Sequence, residues 1–262
     1  MKCNLTAFGD KYEGYGMGLT VKKAMQRSFG EAWERSMLFN VNQQGQEKIY
    51  SSNGMAAANS VALAKKLAKE ELIERELMLQ AWTQQRGWVT ERVAYIARMI
   101  LLSQSKKGWN FKYYKISHKQ HSVLVGVGVH EKYGVVFDSA YCKKSKVKTQ
   151  IKMAMSLVTT ANYNSAVDSL KNYVLPKDAP PEAHFTFYRQ PKNITAVNFL
   201  KNFDSKIALE LPDDHFLGVQ VNLLSHGFDM PYVARAWKNN FIKLCWGTQC
   251  IQGVNKWPHP LA

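Results

Sequence analysis

Residues 20–35, TVKKAMQRSFGEAWER, and residues 60–75, SVALAKKLAKEELIER, align without a gap at an offset of 40. Each segment starts on a hydroxyl residue suited to an N-cap, Thr20 or Ser60, and ends Glu-x-x-Glu-Arg. The matched alanines Ala24 and Ala64 keep the same register. Within each segment the glutamates stand at i and i+3, so Glu31 and Glu34 share one helix face, and so do Glu71 and Glu74. Two such helices side by side bring four carboxylates together. Clustered carboxylates repel one another and shift towards protonation unless a cation neutralises them. An all-oxygen set suits Mg²⁺, which takes one or two carboxylates per ion and fills its shell with water and phosphate oxygens. Arg35 and Arg75 are placed to hold phosphate or to orient the carboxylates.

The plainer reading is a solvated helix surface, since Glu31–Arg35 and Glu71–Arg75 are ordinary i,i+4 pairs. One such motif carries little. Its ungapped repetition over sixteen positions, each time after a glycine-containing turn, favours a site. A di-iron bundle would want Glu-x-x-His pairs, which neither segment has. No Walker motif is present, which excludes a P-loop nucleotide site.

Composition sets the frame around this pair. The 262 residues are 46% apolar and 12% aromatic, which describes a globular chain with a sizeable core. The most apolar stretch, residues 94–102, is short and carries Arg98, so it reads as a buried helix face and no membrane span is expected. The first ten residues lack the apolar region of a signal peptide, and the expected location is the cytoplasm. Cys3, Cys142, Cys245 and Cys250 are too scattered for a disulfide framework, and neither they nor His118 and His121 have zinc-site spacing. The net charge of +15 favours polyanionic partners. Lysines between 106 and 119 interleave with Trp109, Phe111, Tyr113 and Tyr114, a mixture able to stack and neutralise a single nucleic-acid strand. The alternative, a solvated hairpin with lysines guarding its edge, is favoured about two to one.

Helical patterning covers residues 20–38, 60–82, 89–104 and 146–174, with a short helix at 194–203. Strands are expected at 110–116, 122–130 and 134–141 as an antiparallel meander, then at 215–224 and 231–236. A short run at 48–51 precedes the turn Ser52-Asn53-Gly54. Without regular βαβ alternation the fold class is α+β with a mixed sheet and packed helices. It is expected as one compact domain over residues 1–262, with a sub-domain link near 175–184, LPKDAPPEAH.

At these residues the chain resembles the YcaO family. The matches are Gly16-Met17-Gly18 before Glu31, Glu34 and Arg35, and Ser52-Asn53-Gly54-Met55-Ala56-Ala57-Ala58-Asn59 before Glu71, Glu74 and Arg75. The tail Pro258-His259-Pro260 is similar to the family's proline-rich C-terminus, and residues 218–236, with Arg235, to the strand pair preceding it. The resemblance implies an α+β fold that binds ATP with Mg²⁺ and phosphorylates a peptide's backbone amide oxygen, making it a leaving group. A Cys, Ser or Thr side chain, or a sulfur or nitrogen donor, then gives an azoline, thioamide or amidine. It assigns Glu31, Glu34, Glu71 and Glu74 as metal ligands, Arg75 as a phosphate contact, and Asn59 as a nucleotide or metal contact.

The chain departs from the pattern at Met17, where the family has a basic residue. It also departs at Arg27 and Ala56, where it has small hydroxyls. The third nucleotide motif, an Arg or Gln followed four residues later by Glu on a late helix, has Lys152 with Ser156 as its best counterpart, which keeps the charge but loses the acid. The chain begins close to the first motif, and a partner protein is expected to recognise the peptide or protein substrate or to deliver sulfur. A homodimer is compatible with the sequence. Three readings follow: an ATP-dependent peptide-modifying enzyme, a degenerate relative binding metal and nucleotide without turnover, and, weakest, a basic nucleic-acid- or ribosome-associated protein.

Overall fold

The computed structural model describes residues 2–7, 10–16, 20–43, 53–142, 146–166, 173–179, 181–201, 218–223, 232–237, 248 and 257–260. The chain divides into two compact units, one formed by 1–75 with 212–243 and the other by 76–211 with 244–262. The Pro-rich stretch 175–184 lies inside the second unit.

In the first unit, strands β1 (Lys2–Ala7) and β2 (Asp10–Tyr15) form a hairpin, followed by helix α1 (Val21–Gln43). Strand β3 (Met55–Ala58) leads into helix α2 (Val61–Gln84), which belongs to this unit as far as Arg75 and to the second from Glu76. The repeated segments are therefore equivalent helices. Thr20 Oγ1 accepts the Lys23 N–H and Ser60 Oγ the Leu63 N–H, both at 3.3 Å, so each hydroxyl caps its helix as expected. Alternation along β3 explains the layering. Met55 and Ala57 pack with Trp33 and Met37 of α1, while Ala56 and Ala58 pack with Ala64, Ala68 and Leu72 of α2. The two helices thus cover opposite faces of one sheet.

Glycine sets how close the hairpin comes. A Cβ on Gly14 would lie 1.9 Å from the Ser28 carbonyl oxygen and 2.4 Å from the Ala32 nitrogen, both backbone atoms of α1. Gly14→Ala is expected to lift the hairpin from α1 and cost about 1–3 kcal/mol, measured by chemical denaturation. Unchanged stability would contradict the packing. Gly54 has φ +74 and meets the Ala236 carbonyl, so the turn into β3 also requires glycine.

In the second unit, β4 (Trp88–Glu91) precedes helix α3 (Tyr95–Ser105). The meander β5 (Asn110–His118), β6 (His121–His130) and β7 (Gly134–Tyr141) is present as expected, and β4 joins its edge in the order β4-β5-β6-β7. The helix expected at 89–104 therefore starts later. Gly87, at φ +82, breaks the chain, and Trp88-Val89-Thr90 carries aromatic and β-branched side chains that suit a strand. Helix α4 (Lys146–Ala166) packs with α3 on one sheet face, burying Trp109, Tyr113, Leu124 and Val136. On the other, Trp82 meets Phe137 at 5.8 Å and Phe199 at 5.4 Å, edge to face.

Helix α5 (Pro181–Tyr188) rises from within the expected link, with Pro181 as its first residue, where a missing N–H costs nothing. Residues 191–201 form a 3-10 helix, Pro191–Lys201. The tail docks on this region: Trp82 Nε1–H donates to the Trp257 carbonyl at 3.1 Å, and Tyr188 Oη–H donates to the Pro258 carbonyl. Burial holds the His184 imidazole below its usual pKa, against the raising pull of the His259 carbonyl 2.8 Å from its Nδ1.

Strands β8 (Gly218–Leu223) and β9 (Tyr232–Trp237) complete the first unit's sheet in the order β3-β9-β8. The α+β class holds. Every described strand pairing is antiparallel, so the mixed directions expected of the sheet are not found among the described residues. The run at 48–51, Cys245 and Cys250 lie outside the described residues. No described helix is long and apolar enough to cross a membrane.

Candidate functional site

β3 is an edge strand, paired only with β9 among the described strands. The Gly54 carbonyl accepts from the Ala236 N–H, and the register pairs Ala56 with Ala234. The antiparallel ladder therefore turns the N–H groups of Met55 and Ala57 towards the free edge. At that edge Glu34 Oε1 accepts the Ala57 N–H at 2.7 Å. Glu31 is held by the other neighbour of α1: its Oε2 accepts the Tyr15 N–H at 2.5 Å and its Oε1 the Arg35 Nη2–H at 2.8 Å. Arg35 Nη1–H also donates to the Glu13 carbonyl at 3.0 Å, tying helix to hairpin. Arg35 is thus an orienting group. Arg75, on α2, has its Nε 4.0 Å from Glu71 Oε1, a loose pair.

The glutamates of the two helices feel one another. Glu34 is pushed up to about 8, first by burial and then by the Glu31 charge, against the lowering pull of the Ala57 N–H and Arg35. Glu71 is also pushed well up by burial, with Glu34, Glu74 and Glu31 adding to it and Arg75 opposing. Both side chains retain some exposed surface, 29% for Glu71, so solvent reaches a carboxyl that many protein atoms surround. The structure thus brings all four acids within electrostatic reach of one another, from helices on opposite faces of the sheet. Small residues permit this, because the Met-Ala-Ala-Ala strand keeps the layers thin.

The donor set is wholly carboxylate oxygen and fits a hard cation. Among the described residues no three acidic, histidine or cysteine side chains converge as a cage. One or two carboxylates per ion is the number Mg²⁺ uses, with water and phosphate completing the shell.

The remaining residues fall as follows. Asn59 is exposed, directly after β3 and before the Ser60 cap. Lys152 is half-buried on α4 of the second unit, with Ser156 on the same helix. Arg27 is exposed on α1, Ala56 is core, and Met17, Gly18 and Ser52 lie outside the described residues. Arg235 stacks over Trp237 at 5.3 Å on the sheet's central strand. Sequence reasoning missed the backbone donors Tyr15 and Ala57, which no side-chain pattern reveals. Trp109, Tyr113 and Tyr114 are 2%, 1% and 3% exposed, so these rings belong to the core and are closed to stacking bases.

No protein-family model matches the sequence, and no curated protein is similar to it in sequence. Solved structures are similar in fold. A chain of the E. coli microcin synthetase McbBCD complex with pro-MccB17 bound matches at TM-score 0.61 and 11% identity, covering 92% of this chain and 88% of that one. A chain of the E. coli McbBCD complex matches at 0.53 and 12% identity over 88% of this chain and 65% of that one. YcaO from Methanopyrus kandleri, bound with AMPPCP and Mg²⁺, matches at 0.51 and 11% identity over 64% of this chain and 60% of that one. The chain has the fold of the YcaO-domain proteins.

Proposed function

We propose that this chain binds ATP with Mg²⁺ at the free edge of β3 and uses it to activate a backbone amide of a peptide, leading to an azoline or thioamide. One observation carries the reading: two equivalent helices bring four carboxylates together, and Glu34 and Glu71 are pushed up first by burial and then by their acidic neighbours, a cost that a divalent cation would relieve. The relative bound with AMPPCP and Mg²⁺ supports the choice of ligand. Glu31, Glu34, Glu71 and Glu74 would hold the metal, and Mg²⁺ would supply neutralisation of the triphosphate charge. Arg35 orients Glu31, and the Ala57 and Tyr15 N–H groups fix Glu34 and Glu31 without using the carboxylates' full acceptor capacity. Arg75 and Asn59 are proposed to contact the nucleotide, and Lys152 to contribute charge to it. The E. coli structures are of the McbBCD complex, one of them with pro-MccB17 bound, which supports a peptide substrate and a partner protein here. Lys152 followed by Ser156, in place of a basic residue followed by an acid, favours a second reading: metal and nucleotide binding without turnover.

Calorimetry separates these readings. Wild type is expected to bind Mg²⁺ with a non-hydrolysable ATP analogue, and Glu71→Gln/Glu74→Gln to bind at least about a hundredfold more weakly. Binding by wild type with no ADP released in the presence of candidate peptides would leave the non-catalytic reading. An absence of binding would end both.

A further inference from the structure

Helix α3 is unusual in what it leaves uncovered. Tyr95, Ile96, Met99 and Leu102 are exposed by 77%, 55%, 51% and 40%, although the apolar stretch containing them reads as a buried helix face. Only Ala97, Leu101 and Gln104 of this helix are buried. Two cavities flank it. One, of about 360 Å³, lies between α3 and the start of α4 and includes Tyr95 and Lys146. The other, of about 590 Å³, reaches Leu102, Ser105 and Phe111. Both are bordered by Arg92, Val93 and Arg98, so the two arginines stand between them. Tyr95, Arg98, Leu102 and Ser105 recur at i, i+3, i+7 and i+10, one continuous stripe, and the eleven-residue helix gives the trough a length of about 16 Å.

Charge selects the occupant. Glu91, the acid in the smaller cavity, is already paired with Lys146 at 2.5 Å. Neither the Arg92 nor the Arg98 guanidinium has an acidic partner among the described residues, and the chain carries +15 overall. A second copy docking by two-fold symmetry would bring a surface of the same net positive charge to this face. A nucleic-acid strand would need a row of exposed rings, whereas Tyr95 offers one and Trp109, in the wall of the larger cavity, is 2% exposed. An extended peptide fits: about five residues span the trough, and side chains at i and i+2 point the same way about 6.6 Å apart.

We propose that this trough is a docking site for a recognition segment of the peptide substrate, extended, with an acidic side chain on Arg92 and Arg98 and an apolar one in the larger cavity. The proposal rests on the reading of the chain as peptide-modifying but uses none of the four glutamates. Gln150 shapes the trough floor. It accepts the Ala94 N–H at 2.6 Å and donates to the Arg92 carbonyl at 2.9 Å, so the linker carrying Arg92 is fixed before any ligand arrives.

The test uses labelled hexapeptides that pair Asp with Phe two residues further on, in each position and both orders, read by fluorescence polarisation at low salt. At least one member is expected to bind, with affinity falling at least about tenfold in Arg92→Ala/Arg98→Ala and in its Asp→Asn counterpart. Lys65→Ala, exposed on α2, and Glu71→Gln are both expected to leave peptide binding unchanged. Retention in Glu71→Gln separates this site from the nucleotide site, so a protein that binds peptide but no ATP analogue would retain this proposal and lose the other. No polarisation change with any peptide, equal affinity for the Asn series, or displacement by oligouridylate at equal affinity would overturn it.

Discussion

Replacing Glu34 with Gln is expected to raise, not lower, the melting temperature of the metal-free protein at about pH 8.5. The sign follows from the buried carboxyl. Glu34 is pushed up to about 8 in the folded chain, whereas an unfolded glutamate titrates at about 4.3. The folded state therefore holds more protons between these values, and wild type loses stability as pH rises through that window. Gln keeps the shape and the acceptor for the Ala57 N–H but cannot acquire the charge. At about pH 5, just above the unfolded value, the two proteins are expected to differ least over the range scanned. At about pH 8.5 the variant is expected to gain on the order of 2 kcal/mol, reduced from the full shift because solvent still reaches the side chain. Mg²⁺ with an ATP analogue should then raise the melting temperature of wild type at alkaline pH and leave the variant where it is. Scanning calorimetry from about pH 5 to 9, on both proteins, reads all of this. A variant less stable than wild type at alkaline pH would mean that the carboxyl is well compensated and not a strained ligand.

The second large effect concerns the aromatic layer. Trp82 is 1% exposed, meets four rings at 5.4–6.5 Å and holds the tail through its indole N–H. Trp82→Ala is expected to cost about 3–5 kcal/mol, from lost burial and the cavity left behind. It should also free the tail, so limited proteolysis is expected to cut near Trp257 in the variant and not in wild type. Trp82→Phe keeps most of the ring packing but removes the donor, and should release the tail with a smaller loss of stability. A tail equally protected in both variants would show that His184 and Tyr188 hold it without Trp82.

The parts of this architecture visible in the sequence are those with a strong local signature. The echo of residues 20–35 in 60–75 gives two capped helices because Thr20 and Ser60 supply the same acceptor at the same position. The meander is legible because β-branched runs alternate with turn residues. β3 is not, since Met-Ala-Ala-Ala has no strand propensity of its own. It is a strand because its small side chains let helices close on both faces. α5 hides behind two prolines, one of which is an acceptable first helical residue.

The candidate site divides in the same way. Spacing puts each pair of glutamates on a shared face. It does not say that the faces meet at a strand edge, nor that the Ala57 and Tyr15 amides fix two of the acids. Those are backbone groups, presented by tertiary structure. The stacking reading of the aromatics at 109–114, the less favoured of the two, fails for a related reason: periodicity shows that rings alternate, while only packing shows that Trp109, Tyr113 and Tyr114 are buried.

The central claim is that the four glutamates bind divalent cations for a nucleotide. Crystals grown with Mn²⁺ in place of Mg²⁺ and a non-hydrolysable ATP analogue test it directly through an anomalous difference map. Peaks are expected at the free edge of β3, each about 2.2 Å from at least one oxygen of Glu31, Glu34, Glu71 or Glu74, with phosphate oxygens on their open side. A map with nucleotide bound and no peak within reach of these carboxylates would contradict the account.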